Sequence, residues 1–203
     1  MPDPLTRFRT GNPTFDEGRV FAQYLNEAAE GFFRLMLGKR FIDIIAMAYT
    51  QPGHDLSYQN VIFAERSKVI VGMISGYTAE QHHQSSDEPL KQAAGRFNLR
   101  RIIVSTLFSP LMRIIDTIAD GDFYIQAMVV DKELRGKGFG NTLMGYIEDC
   151  ARNSGSLRLS LDVSASNEKA RKLYEHRGMS VEFQWPRRIT IPGLKFFRMV
   201  KSL

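Results

Sequence analysis

The chain has 203 residues, 43% of them apolar and 24% charged, which is enough to build a full core and favours one compact domain with room for an insertion. Its one cysteine excludes an internal disulfide and points to a reducing, cytoplasmic compartment. No run is long and uncharged enough to span a bilayer and residues 1–7 lack a signal-type apolar core, so no membrane partner is expected. The net charge of +5 is uneven: residues 131–203 carry 14 Lys+Arg against 8 Asp+Glu, whereas residues 1–130 carry 13 against 14. A basic C-terminal portion suits an anionic ligand, and without a nucleic-acid motif beside it we expect no nucleic-acid partner.

In chain order, residues 5–10 read as a first strand. Thr14 and Glu17 stand three apart as a capping box. The helix they open buries Val20, Phe21, Tyr24, Leu25, Ala28 and Ala29. Gly31 interrupts it before residues 32–37, and residues 41–49 form a further helix stopped by Pro52-Gly53. The Val, Ile and Phe content of 60–65 and 69–77 predicts two strands, joined by the polar Arg66-Ser67-Lys68. Residues 80–121 interrupt the pattern. They are polar over 80–88, with His82 and His83, and helical in pattern over 90–108. A helix over 111–119 follows, opened by Ser109-Pro110. Arg100, Arg101, Arg113 and Asp116 argue against a membrane span here.

Residues 123–130 are aromatic and β-branched and read as a buried strand. Residues 139–151 place Phe139, Leu143, Tyr146, Ile147 and Cys150 on one helical face. Between them lies Arg135-Gly136-Lys137-Gly138-Phe139-Gly140. Three glycines in five positions let a backbone approach a ligand and turn its N–H groups outward. A helix N-terminus adds partial positive charge, and Arg135 and Lys137 add full ones. The sum is a site for a phosphate or pyrophosphate. Lys137 falls too early for a Walker loop, and the third glycine falls one residue short of G-x-G-x-x-G. Asp162, about 20 residues on, stands where a dinucleotide fold keeps its ribose-binding acid, so a nucleotide-binding oxidoreductase stays open. Residues 157–163 alternate as a strand. Residues 167–177 form a short helix ended by Gly178, burying Ala170, Leu173 and Tyr174. Residues 179–184 and 196–200 are two last strands linked through Pro186, Pro192 and Gly193. Cys150 reads as inert packing, Asn167 as a helix cap, and Tyr174 as a tyrosine on an amphipathic face.

Two of these stretches carry a resemblance. Arg135-x-x-Gly138-x-Gly140 matches the Q/R-x-x-G-x-G/A signature of the GNAT superfamily of N-acetyltransferases. Asn167-x-x-Ala170-x-x-Leu173-Tyr174-x-x-x-Gly178-Met179 is similar to its second signature, N-x-x-A-x-x-L-Y-x-x-x-G-F, one helix and one strand further on. The likeness is close over 122–182 and holds in element order only over 1–78. It implies an α/β (α+β) domain over 1–203. Its central sheet is mixed and mostly antiparallel, with helices on both faces and a helical insertion, 80–121, before the fourth strand. It also implies acetyl-CoA as cosubstrate, no metal, and direct attack by a primary amine of a small molecule or of a protein or peptide. A homodimer is compatible with it.

The same resemblance implies roles for individual residues. The N–H of Met128 would be the oxyanion donor. Met128, Val129 and Val130 would run beside the pantetheine arm, with Val130 pairing to its amides. The backbone of Arg135, Gly136, Lys137, Gly138, Phe139 and Gly140 would hold the pyrophosphate. Asn167 would bind the pantetheine arm and Tyr174 would protonate the departing thiolate. The family's frequent glutamate base aligns near Tyr124. Tyr124 and Gln126 share the parity of Met128 and are placed to order a water. His82, His83 and Asp122 are alternatives, and no base is assigned. A CoA-binding regulatory module without catalysis is the second reading.

Overall fold

The hairpin expected around Ser67 is the start of a seven-stranded sheet. The computed structural model describes residues 6–95, 98–109, 117–186 and 195–203. The strands are β1 (Thr6–Thr10), β2 (Val61–Arg66), β3 (Val69–Thr78), β4 (Asp122–Val130), β5 (Arg158–Ser164), β6 (Ser180–Trp185) and β7 (Phe196–Ser202). Their spatial order is β1-β2-β3-β4-β5-β7-β6. Only β4 and β5 run parallel, so the sheet is mixed and mostly antiparallel, as expected. Ser67 and Lys68 take φ of 50° and 66°, the left-handed pair that a two-residue hairpin turn requires.

Helices cover both faces, because alternate strand residues point to opposite sides. On one face, α1 (Phe15–Ala28), α2 (Phe32–Leu37) and α3 (Phe41–Tyr49) bury Phe21, Leu25, Ile45 and Tyr49 against Phe63 and Met73. On the other, the helix Phe139–Asn153 buries Leu143, Met144 and Ile147 against Ile74, Ile125 and Leu161. Neighbours Met73 and Ile74 thus serve different cores. The predicted box at Thr14 is half made. The Thr14 hydroxyl accepts the Glu17 N–H at 3.4 Å, but the Glu17 carboxylate turns to Asn12 N–H (2.7 Å) and to Arg9 (3.0 Å).

The insertion differs from its sequence reading. Polar residues after β3 form α4 (Ala79–Gln84), opened by a complete capping box between Thr78 and Gln81. The helix expected over 90–108 is two: α5 (Glu88–Ala94) and α6 (Leu99–Leu107). Gly95, at φ 85°, ends the first, and the Asn98 side chain caps the second by accepting the Arg101 N–H at 3.0 Å. α6 packs on α2, with Phe108 edge-on to Phe32 at 5.5 Å, and turns Leu99, Ile103 and Leu107 outward. Most of the helix expected over 111–119 lies outside the described residues, as do Leu5, Pro192 and Gly193.

Candidate active site

β4 and β5 pair only from Asp122 to Ile125 against Arg158 to Leu161. Beyond Ile125 both strands continue, β4 to Val130 and β5 to Ser164, without pairing to each other. A bulge in β4 coincides with the parting. Gly76 pairs with Ile125 and Ser75 with Ala127, which leaves Gln126 as the extra residue. Such an insertion bends and twists the strand that carries it. The Ser75 hydroxyl donates to Gln126 Oε1 at 3.1 Å. The bulge also exchanges the faces. Phe123 and Ile125 lie in the core under Leu143, and after the bulge Met128 and Val130 do so instead. Tyr124 packs with Tyr77 on the opposite face. Tyr124 and Met128 therefore do not share a face, which corrects the parity read from the sequence.

The hydrogen bonding of β4 sets which backbone groups reach the gap. Asp131 N–H donates to the Val71 carbonyl at 2.9 Å. Residues two apart on a strand turn their backbone groups the same way, so Val129 also faces β3, where it pairs with Met73. Met128 and Val130 then present N–H and C=O toward the side that β5 has left. Arg135 Nε donates to the Val130 carbonyl at 2.7 Å. Of the three residues expected beside a pantetheine arm, Met128 and Val130 bring backbone groups to the gap and Val129 does not.

Beyond β4 a 3₁₀ turn, Lys132–Leu134, leads into the glycine stretch. Gly136 and Gly138 take φ of 75° and 89°, and a Cβ at either would meet no atom within 4 Å. They are glycine for their backbone geometry, and they leave the surface above them open. Gly140 is glycine for another reason. Its Cβ would lie 3.0 Å from Leu173 Cδ2, so it lets α7 (Phe139–Asn153) approach α8 (Glu168–His176). Not all three glycines face a ligand. Gly138 caps α7 without any side-chain bond. The N–H groups of Phe139, Gly140 and Asn141 thus have no intrahelical partner, and the 15-residue helix points its positive end here.

The two cations of the stretch separate. The Arg135 guanidinium pairs with Glu27 on α1, in addition to its bond to Val130. It works as a strut between α1 and the turn. Lys137 is exposed and makes no ion pair among the described residues, so it is the cation left to an anion. Tyr24 on α1 adds a second strut, donating its hydroxyl to Asp131 Oδ1 at 2.6 Å. Burial, and then the Asp131 carboxylate, raise the Tyr24 pKa.

Asn167 caps α8: its Oδ1 accepts the Ala170 N–H at 3.1 Å, which leaves its NH₂ end to other partners. Tyr174 lies in the last turn of α8, 7% exposed, within the core that holds Val130, Leu161 and Val163. Its hydroxyl has no hydrogen-bond partner among the described residues, and burial pushes its pKa up to about 12. Burial also raises the Cys150 thiol, as suits a packing residue.

Where β4 and β5 part, a polar cluster is buried that the sequence did not announce. Tyr124 donates its hydroxyl to Asp162 Oδ2 at 3.1 Å. Arg198 of β7 holds both Asp162 oxygens, each at 2.8 Å, and donates to the Thr117 carbonyl at 2.7 Å. Burial and then the Asp162 charge raise the Tyr124 pKa. Burial alone would lower that of Arg198, but the Asp162 bond reverses it and the net direction is up. With both oxygens committed, Asp162 is not offered to a ribose, and the observation behind the oxidoreductase reading falls away. Asp122 is similarly occupied, 1% exposed and held by Arg158 at 2.7 and 3.1 Å. His82 Nδ1 lies 2.8 Å from Asp55 and its ring stacks on Tyr77. Among the described residues no group of three or more His, Cys, Asp or Glu could hold a metal ion.

The fold is shared with solved acetyltransferases. A solved structure of an acetyltransferase superposes with a TM-score of 0.68 at 24% identity, over 97% of this chain and 98% of that one. An N-acetyltransferase from Staphylococcus aureus Mu50 gives 0.67 at 17% identity, over 96% and 100%. A Bacillus subtilis acetyltransferase solved in complex with CoA gives 0.56 at 15%, over 98% and 99%. At these identities the likeness is one of fold. The uncharacterised N-acetyltransferase YycN of Bacillus subtilis (strain 168) is 46% identical over 44 residues, which is 22% of this chain and 28% of that protein's length. The sequence model of the acetyltransferase (GNAT) family matches residues 19–179. Because that match runs from α1 through the glycine turn to Met179, this chain belongs to the acetyltransferase (GNAT) family.

Proposed function

We propose that this protein transfers an acetyl group from acetyl-CoA to a primary amine, of a small molecule or of a protein or peptide, by direct attack of the amine. The observation that carries the reading is the parted β4–β5 gap, with Met128 and Val130 backbone groups turned into it and an uncapped helix N-terminus at its end. The first-turn N–H groups of α7, the open surface over Gly136 and Gly138, and Lys137 suit a pyrophosphate. The Met128 N–H suits an oxygen that gains negative charge as the amine attacks, and a fixed donor in a dry gap stabilises such charge strongly. The Asn167 NH₂ end is the group able to hold a pantetheine carbonyl. Tyr174 carries the proton that the leaving sulfur takes up. In balance, a C–N bond forms, the C–S bond breaks, the sulfur gains a proton and the nitrogen sheds its own to water. A cytoplasmic setting suits the one unpaired cysteine, Cys150.

Thermal unfolding with added ligand tests the binding half. At about a hundred times its Kd, acetyl-CoA should add about 2.7 kcal/mol and raise Tm by several degrees. NAD should add nothing. Lys137→Glu reverses an exposed, unpaired charge, so the unliganded Tm should stay put. Its acetyl-CoA Kd should rise about tenfold, about 1.4 kcal/mol, with the effect fading at high salt. Equal stabilisation by NAD, or an undiminished acetyl-CoA shift in the variant, would contradict the assignment.

A further inference from the structure

At the end of α7 away from the glycine turn, the helix covers a cavity of about 230 Å³. It lies between the last turns of α7, the ends of β1 and β3 and the starts of β2 and β4. A helix of 15 residues is about 22 Å long, so this cavity is remote from the α7 N-terminus. Its floor is apolar, made by the buried side chains of Ile62, Phe123 and Ile147.

Its mouth is polar but uncharged. Gln59 and Asn60, from the 3₁₀ turn before β2, and Gln81 of α4 bring three carboxamides to it. Each carboxamide has one end engaged. Gln59 Oε1 accepts the Gly53 N–H at 3.0 Å, and Gln81 Oε1 accepts the Thr78 N–H at 2.9 Å. The Asn60 NH₂ donates to the His54 carbonyl at 3.0 Å. These bonds set which way each amide points. They leave the NH₂ ends of Gln59 and Gln81, and the side-chain oxygen of Asn60, without a hydrogen-bond partner among the described residues. Donors and an acceptor are thus held at one opening, and no charged side chain among the described residues lines it.

We infer that this cavity binds a small uncharged molecule with an amide edge and a flat apolar body. An ion would shed water there with no opposite charge to meet it. A neutral amide or nitrogen heterocycle exchanges water for the fixed donors and acceptor. Its ring meanwhile covers Ile62, Phe123 and Ile147. At about 30 Å³ per water the space holds about eight, which limits the occupant to roughly ten non-hydrogen atoms. The inference is independent of acetyl transfer, because a ligand here leaves the β4–β5 gap and Lys137 untouched.

Benzamide is a probe of this size, and benzoate and benzamidine are its anionic and cationic look-alikes. Each is titrated into the full chain while backbone and side-chain amide resonances are followed. Benzamide should give saturable shifts at Gln59, Asn60 and Gln81, with a Kd of about 1 mM or tighter. Benzoate and benzamidine should bind at least about tenfold more weakly. Added acetyl-CoA should not displace benzamide. Bound benzamide should also slow alkylation of Cys150, the one cysteine of the chain, which lines the cavity. Gln81→Glu keeps the oxygen that caps α4 and replaces the NH₂ donor with a negative charge. That variant should fold normally, bind benzamide about tenfold more weakly and prefer benzamidine. The inference is overturned by an absence of saturable shifts at these residues, by equal affinity for the three compounds, by displacement with acetyl-CoA, or by a Gln81→Glu protein that binds benzamide as wild type does.

Discussion

Tyr174→Phe is expected to lower kcat for acetyl transfer by roughly 10²–10⁴-fold, the usual worth of a positioned proton donor. The ring is 7% exposed and packs in the α7–α8 core, and phenylalanine keeps that packing. Its hydroxyl makes no hydrogen bond among the described residues, so deleting it leaves no partner stranded. Stability and acetyl-CoA affinity should therefore be nearly unchanged. A thiol near about 8.5 and a phenol pushed up to about 12 make the transfer uphill by roughly 5 kcal/mol if the sulfur keeps its ordinary value. In the proposed complex it would not keep that value, because a thiolate emerging beside Tyr174 would be desolvated by the same walls and its pKa would rise too. The sign of the phenol's shift gives a second readout. Its neutral, proton-donating form persists until pH passes through the raised value, so kcat should show no alkaline fall near pH 10 from this group. Unchanged kcat in a folded Tyr174→Phe protein would return the residue to a packing role.

The second large effect concerns stability. Arg198→Met should destabilise the protein by about 3–5 kcal/mol, because it strands the Asp162 carboxylate in a buried site. Arg198 is 3% exposed and the Asp162 side chain 9%. The Tyr124 hydroxyl alone cannot replace two bonds to a guanidinium. Removing both charges, in Asp162→Leu with Arg198→Met, should recover much of the loss, since apolar replacement of a buried pair is often near neutral. Chemical denaturation of the two singles and the double forms a cycle that reads the coupling directly. Additive losses would mean that the pair does not act as a unit.

How much of this was legible in the sequence depended on whether the signal was local. The strands at 69–77 and 123–130 showed themselves through β-branched and aromatic residues, and α7 through Leu143 and Ile147. The glycine turn was legible because its conformational demands lie within six residues. The Gln126 bulge was not, since an extra residue in an apolar strand leaves no compositional mark and still inverts every face after it. Gly95 does not stand out as a helix end, because the helical spacing of 90–108 runs across it. Arg198 carries no local mark of its role, because its partner lies 36 positions away. In the sequence Arg135 reads as a ligand cation, and its engagement by Glu27, 108 positions away, shows only in the fold.

The most direct test of the account is to incubate the full chain with acetyl-CoA and a panel of small amines and peptides, measuring free thiol and product mass together. The account predicts that at least one amine gains a single acetyl group for every thiol released, and that neither appears without protein. Acetyl-CoA that raises Tm but yields no amine-dependent thiol across the panel would contradict it and leave a CoA-binding module without catalysis.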